Sequence, residues 1–183
     1  MSINQSLFYW INQDGGNHYV WLDQLMLFLS RPTASIIPLA AVVAYVLIKD
    51  RSRWRILLGM VIAIGLDDWV GGQIKHYFAV VRPCEALDGV RLLLGCGPNS
   101  FPSNHAANTA AFALYVALFY RRTAVFIWLI PFFVGISRIY VGVHYPVDVI
   151  GGWVLGCVIA VIAYNIHIRI IYPKDSLRPE STG

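Results

Sequence analysis

Charge is what this sequence has least of. Only 13% of its 183 residues are Asp, Glu, Lys or Arg, while 57% are hydrophobic. A soluble domain of ordinary composition carries about 25% charged residues. The deficit, with several long apolar runs, excludes an ordinary water-soluble globule and points to an integral membrane protein. A formal net charge of +4 needs no nucleic-acid partner, because basic residues gathered in cytoplasmic loops produce such a balance by themselves. The first residues, MSINQSLFYWINQDGG, have no basic stretch followed by an apolar core. No cleavable signal peptide is therefore visible, and the first true span is expected to direct insertion. Internal repeats and low-complexity segments are also missing.

What is present is a series of apolar runs. Five candidate spans emerge, at about 30–48, 54–78, 104–120, 123–141 and 147–168, each near the ~20 residues that cross a bilayer core. The expected fold is all-α, a polytopic membrane bundle of about five transmembrane helices formed by residues 1–183 as one domain. Residues 1–30 hold SLFYWIN and YVWLDQLMLFL, which read as aromatic-rich interfacial helices, continuous with the first span or separate from it. A sixth crossing there is the alternative. Residues 170–183 have the composition of a flexible tail. The aromatic content of 14% needs no cofactor, since Trp and Tyr at span ends form interfacial belts.

Orientation follows from the basic residues. Lys49, Arg51, Arg53 and Arg55 lie between the first and second spans, Arg121 and Arg122 between the third and fourth, and Arg169, Lys174 and Arg178 after the fifth. With five spans all three segments fall on one side, which the positive-inside rule makes cytoplasmic. The C-terminus is then cytoplasmic and the N-terminus outside. The opposite, extracytoplasmic face receives Lys75, Arg82, His105, Arg138, His144 and Asp148, polar residues that are scattered in sequence.

Each piece has a bland reading alone. Lys75 and Arg82, seven residues apart, would share a helical face if the helix continued and could close around one small anion. They could equally be a snorkelling pair at a span end. Ser103 suits a helix N-cap, with Asn104 and His105 in the first turn, where free backbone N–H groups favour an anion. Taken alone, it is a capped helix start with an interfacial histidine. Pro146 suits the first turn of the last span, and from that turn Asp148 can reach back to His144, accept its ring N–H and leave the other nitrogen nucleophilic. Otherwise Arg138 and Asp148 form an interfacial pair with an incidental histidine. Together, three cations, two histidines and a carboxylate on one face suit phosphoryl transfer through a phosphohistidine.

The order Lys75-x6-Arg82-Pro83, Pro102-Ser103-Asn104-His105, Ser137-Arg138-x5-His144-x3-Asp148 resembles the type 2 phosphatidic acid phosphatase superfamily. Its soluble relatives include vanadium haloperoxidases and bacterial acid phosphatases. The resemblance implies His144 as nucleophile, Asp148 as its orienter and His105 as general acid. It implies Lys75, Arg82, Arg138, Ser103 and the Asn104 backbone N–H as phosphate ligands. It also implies a metal-independent reaction, so neither cofactor nor metal is expected. One departure stands out: the middle signature usually reads Pro-Ser-Gly-His, and here the glycine position is Asn104, which could narrow the pocket or add a donor.

The implied activity is hydrolysis of a lipid phosphate or diphosphate at the outer leaflet of a bacterial inner membrane. Small size and the lack of a large insertion fit members acting on undecaprenyl diphosphate. Phosphatidylglycerophosphate, phosphatidic acid and the 1-phosphate of lipid A are competitors. A lipid phosphotransferase and a non-catalytic anion-binding membrane protein are the rival readings. Membrane lipids are the expected partners, with no nucleic acid, and nothing in the sequence speaks to oligomeric state. Cys84 and Cys96 share the outer loop, where a disulfide is expected over two free thiols; closing such a loop would contribute about 3 kcal/mol. Cys157 falls inside the last span. Asp67 and Asp68 are costly inside a membrane, and a structural role, pairing with a cation or capping a neighbouring helix, is expected of them. His76 points away from Lys75 and takes no role. His76, His105 and His144 could suggest zinc, but the surrounding cations would repel a metal ion.

Overall fold

A computed structural model describes residues 1–13, 19–31 and 54–171, with isolated positions between 36 and 48. The regular elements are helices: α1 (Ile3–Asn12), α2 (Val20–Ser30), α3 (Trp54–Phe78), the single turn α4 (Pro83–Ala86), α5 (Asn104–Phe119), α6 (Ala124–Tyr140) and α7 (Pro146–Ile171). A 3-10 turn, Arg121–Thr123, joins α5 to α6. Among the described residues, extended pairing is confined to one antiparallel bridge between Val81 and Asn99.

The second to fifth expected spans coincide with α3, α5, α6 and α7 to within a few residues. The first expected span, the basic residues Lys49, Arg51 and Arg53, and the tail from residue 172 onward lie largely or wholly outside the described residues. Helices α3 and α7, at 25 and 26 residues, are long and apolar enough to cross a bilayer. Helices α5 and α6, at 16 and 17 residues, reach about 24 to 26 Å at ~1.5 Å per residue. Only 28% of the apolar window of each long helix is buried, and Trp69, Val154, Val158 and Ile162 all point outward. Apolar faces of that extent are stable only against lipid.

Helix α5 forms the centre. Its sequence, NHAANTAAFALYVALF, is buried on nearly every side below its first turn. Its alanines let α7 approach to backbone distance. A Cβ on Gly156 would lie 2.2 Å from the Ala107 carbonyl oxygen, and one on Gly152 2.5 Å from that of Ser103. These glycines are one helical turn apart, the small-xxx-small spacing by which membrane helices pack when no hydrophobic drive separates protein from lipid. Beside them Gly135 of α6 receives Trp153 and Val149 of α7, and the Trp153 indole N–H donates to the Pro131 carbonyl at 3.1 Å.

Helices α1 and α2 are 10 and 11 residues long, shorter than the ~20 residues that cross a bilayer core. Backbone at Arg31 is extended, so α2 does not run on as helix at that residue. Both helices cover the site end of the bundle. Buried Asn12 donates to the carbonyls of Arg91 and Tyr140, each at 2.8 Å, and accepts from the Arg91 N–H at 2.9 Å. Asp23 pairs with Arg91 and accepts from the Tyr140 hydroxyl at 2.7 Å. The N-terminal helices therefore hold the loop that carries Arg91 against α6.

Replacing Gly156 with alanine should force α7 away from α5. Overpacking of this kind costs about 1–3 kcal/mol, so the thermal midpoint in detergent should fall by several degrees, with activity falling in parallel.

Candidate active site

The turn between α6 and α7 carries His144. Gly142 makes that turn possible: its φ is +87°, and a Cβ there would meet the Arg91 carbonyl oxygen at 2.8 Å. The His144 side chain is 2% exposed, and Asp148 lies in the first turn of α7. The Nδ1 of His144 is 3.6 Å from Asp148 Oδ2, longer than a direct hydrogen bond. Ser100 fills the gap. Its hydroxyl donates to Asp148 Oδ2 at 2.5 Å and lies 3.4 Å from His144 Nδ1. The Tyr145 backbone N–H donates to the same carboxylate oxygen at 2.8 Å. A serine that donates to the carboxylate has lone pairs left for an Nδ1–H, which places the ring proton on Nδ1 and the free lone pair on Nε2.

Burial pushes the His144 imidazole well below its ordinary pKa. Asp148 opposes that shift, while the charges of Arg138, Arg82 and Lys75 add to it. A neutral, tautomerically fixed imidazole is a competent nucleophile at neutral pH.

The cations arrive from three elements. Lys75 sits in the last turn of α3. That helix stops at Phe78, and Ala79 takes a left-handed conformation, φ 44°, a helix-ending geometry more often given to glycine. The sharing of one continuous helical face by Lys75 and Arg82 is thus corrected: Arg82 is the N-cap of α4 and returns through an extended segment. Its Nε donates to the Asn99 carbonyl at 3.2 Å, and its guanidinium lies against Gly97. Arg138, near the end of α6 and 7% exposed, donates through Nη1 to the Ser30 carbonyl at 2.9 Å. Its Nε has no partner among the described residues. The charges of all three cations bear on both His105 and His144.

Helix α5 begins with Ser103 in the N-cap position, but the serine side chain caps nothing and its buried hydroxyl has no partner among the described residues. Its backbone N–H donates to the Asp148 carbonyl at 3.0 Å, which brings the start of α5 to the start of α7. The N–H groups of the first turn are left for an anion. His105 is half-buried in that turn. The side chain of Asn104 turns away toward α3, where Nδ2 donates to Asp68 Oδ1 at 2.9 Å.

All eight residues expected at the site therefore gather at one end of the bundle. Cys84 and Cys96 are joined by a disulfide with Cα atoms 6.3 Å apart. Of the two structural roles expected for the acidic residues of α3, Asp68 takes contact with a neighbouring helix and not an ion pair among the described residues. Asp68 accepts from Asn104 and Asn108, and buried Asp67 has no hydrogen-bond partner among the described residues. Sequence reasoning missed Ser100 and Ser30. Ser100 lies five residues before His105 in a loop, outside any helical spacing rule, and Ser30 acts through its carbonyl to Arg138 and its hydroxyl, which donates to Ser137 Oγ at 2.9 Å.

Lipid-facing helices with three cations and free helix-start N–H groups gathered at one end suit a protein that handles phosphorylated lipids. Residues 54–172 match the PAP2 superfamily, and the chain belongs to it. It is 32% identical over 172 residues to the undecaprenyl-diphosphatase of Sulfolobus acidocaldarius, covering 91% of this chain and 80% of that one. It is 31% identical over 149 residues to phosphatidylglycerophosphatase B of Bacillus subtilis, covering 74% and 70%. The crystal structure of a transmembrane PAP2-type phosphatidylglycerolphosphate phosphatase from Bacillus subtilis superposes with a TM-score of 0.73 at 25% identity, covering 93% of this chain and 89% of that one. The protein is a membrane lipid phosphatase.

Substituting Ser100 with alanine leaves Asp148 and His144 without their bridge. Removing one hydrogen bond to a buried charge costs about 1–3 kcal/mol, so kcat should fall about tenfold or more with KM little changed, as steady-state phosphate release will show.

Proposed function

We propose that the protein hydrolyses undecaprenyl diphosphate to undecaprenyl phosphate at the extracytoplasmic face of a bacterial inner membrane, through a phosphohistidine on His144. The observation that carries the chemistry is the Asp148–Ser100–His144 arrangement, which frees Nε2 inside a ring of three cations. In the first step Nε2 attacks the terminal phosphorus and the phosphorus–oxygen bond to the leaving group breaks. His105 gives its proton to the departing oxygen, and Asp148 stabilises the positive ring that forms. Lys75, Arg82, Arg138, the Ser103 hydroxyl and the N–H of Asn104 hold the phosphoryl oxygens, where charge must be balanced without reorganisation. In the second step water attacks phosphorus, the phosphorus–nitrogen bond breaks, and His105 takes the water proton. The cycle closes with inorganic phosphate released.

Two observations support the assigned face. Arg55, Arg121, Arg122 and Arg169 lie at the helix ends remote from the site, as expected of a cytoplasmic side. The Cys84–Cys96 disulfide lies on the site side, where an oxidising compartment would maintain it. The substrate is chosen because relatives covering most of this chain are named for it. Relatives of similar identity are named for phosphatidylglycerophosphate and lipid A.

The test is inorganic phosphate release from undecaprenyl diphosphate in detergent with EDTA, beside His144→Ala. The wild type should turn over and the variant should lose at least about 10⁴-fold in kcat, with an acid-labile phosphoenzyme trapped only in the wild type. Equal rates would sink the nucleophile assignment. A silent wild type that releases phosphate from phosphatidylglycerophosphate, phosphatidic acid or lipid A would move the substrate to that lipid.

A further inference from the structure

Asp68 lies on the outward side of α3, about two helical turns before Lys75, well inside the span. A carboxylate there is costly unless it serves a purpose. It is met from α5 by two amides: Asn104 Nδ2 donates to Oδ1 at 2.9 Å and Asn108 Nδ2 reaches the same oxygen at 3.4 Å. The closer of these amides occupies the position that reads glycine in the usual signature, and a glycine could not reach α3 at all. Gly71, one turn along α3 from Asp68, faces the same amide: a Cβ there would lie 3.4 Å from Asn104 Oδ1.

The first turn of α5 needs such a tie. Its N-cap serine caps nothing with its side chain, and its hydroxyl is kept for the anion. On the α7 side the turn is held by the Ser103 N–H to Asp148 carbonyl bond. On the α3 side its hydrogen bonds run through Asn104 and Asn108 to Asp68. Asp68 is also the one negative charge among the described residues that bears on His105, against the positive charges of Arg138, Lys75 and Arg82.

We propose that Asp68 is a positioning residue for His105: the Asp68–Asn104 hydrogen bond fixes the first turn of α5 so that His105 can protonate the leaving oxygen. The proposal rests on the reading of His105 as general acid. It assigns the carboxylate in the span to leaving-group departure and gives Asn104 a purpose that glycine could not serve.

General-acid catalysis matters for a poor leaving group and little for a good one, and kcat/KM reports steps only up to the first irreversible transfer. Purified full-length protein is therefore assayed on a short-chain phosphatidic acid, whose leaving group is an alkoxide, and on 4-nitrophenyl phosphate, whose phenolate leaves unaided. Asp68→Ala should lower kcat/KM on the alkyl substrate by about 10- to 100-fold, with kcat/KM on the aryl substrate within about threefold of wild type. The retained aryl activity doubles as a folding control. Asp68→Asn keeps an acceptor oxygen for Asn104 and should retain alkyl activity within about threefold. Asp68→Ala with Asn104→Ala should be no worse than Asp68→Ala alone, because the two side chains act as one unit.

His105→Ala separates the two assignments. It should show the same selective loss, larger in size. If it does and Asp68→Ala does not, the positioning role is overturned while the acid assignment stands. Equal losses on both substrates for Asp68→Ala would make the residue merely structural and overturn the proposal. Equal losses for His105→Ala would remove the general-acid reading and the positioning role with it.

Discussion

The structure depends on how closely α5 can lie against α7. Two glycines on α7, Gly152 and Gly156, face the carbonyl oxygens of Ser103 and Ala107 at a distance that no side chain could occupy. In lipid there is no hydrophobic gain from bringing two apolar helices together, so shape must supply the association. That contact has a chemical consequence. It sets the start of α5 beside the start of α7, where the Ser103 N–H meets the Asp148 carbonyl. One half of the site, His105 with the free first-turn amides, is thereby placed opposite the other half, His144 with Asp148. Packing of the smallest residues in the bundle decides the geometry of the most reactive ones.

A second constraint is electrostatic. The charges of Lys75, Arg82 and Arg138 all bear on His144, and Arg82 and Arg138 also bear on Lys75, with Asp148 and Asp68 opposing them there. Like charges repel more strongly where water is scarce, so the arrangement favours an anion. The same field, with burial, holds the His144 imidazole neutral. The cost of assembling the cations is borne by fixed contacts elsewhere. Arg138 is anchored to the Ser30 carbonyl and Arg82 to that of Asn99, leaving part of each guanidinium for the ligand. The N-terminal helices take part in this, since Ser30 closes α2 and Asn12 closes α1 over the loop that carries Arg91.

Much of this was legible in the sequence. Helix positions followed from apolar runs, because a span must satisfy its own backbone hydrogen bonds and needs a minimum length. Site residues followed from chemical type and spacing: Pro146 opening a helix, Asp148 one turn beyond His144, Ser103 before an apolar helix. Less was legible where one residue changed the chain's direction. Ala79, an ordinary helix former, ends α3 and sends Arg82 back along an extended path. No local signal in the sequence announces that turn, since alanine favours the opposite.

By itself the sequence determined the membrane setting, the positions of helices α3, α5, α6 and α7, and which polar residues would meet at one end of the bundle. Those properties depend on composition and on spacing along one chain. The tertiary structure alone decided which groups stand between the site residues and what holds them. Ser100 bridges His144 and Asp148 across 44 and 48 residues of chain, and Asp68 ties down Asn104 across 36. Such contacts obey no helical or strand period, because they arise between elements whose relative placement is set by packing. Periodicity describes one helix at a time, and the site is made where several helices meet.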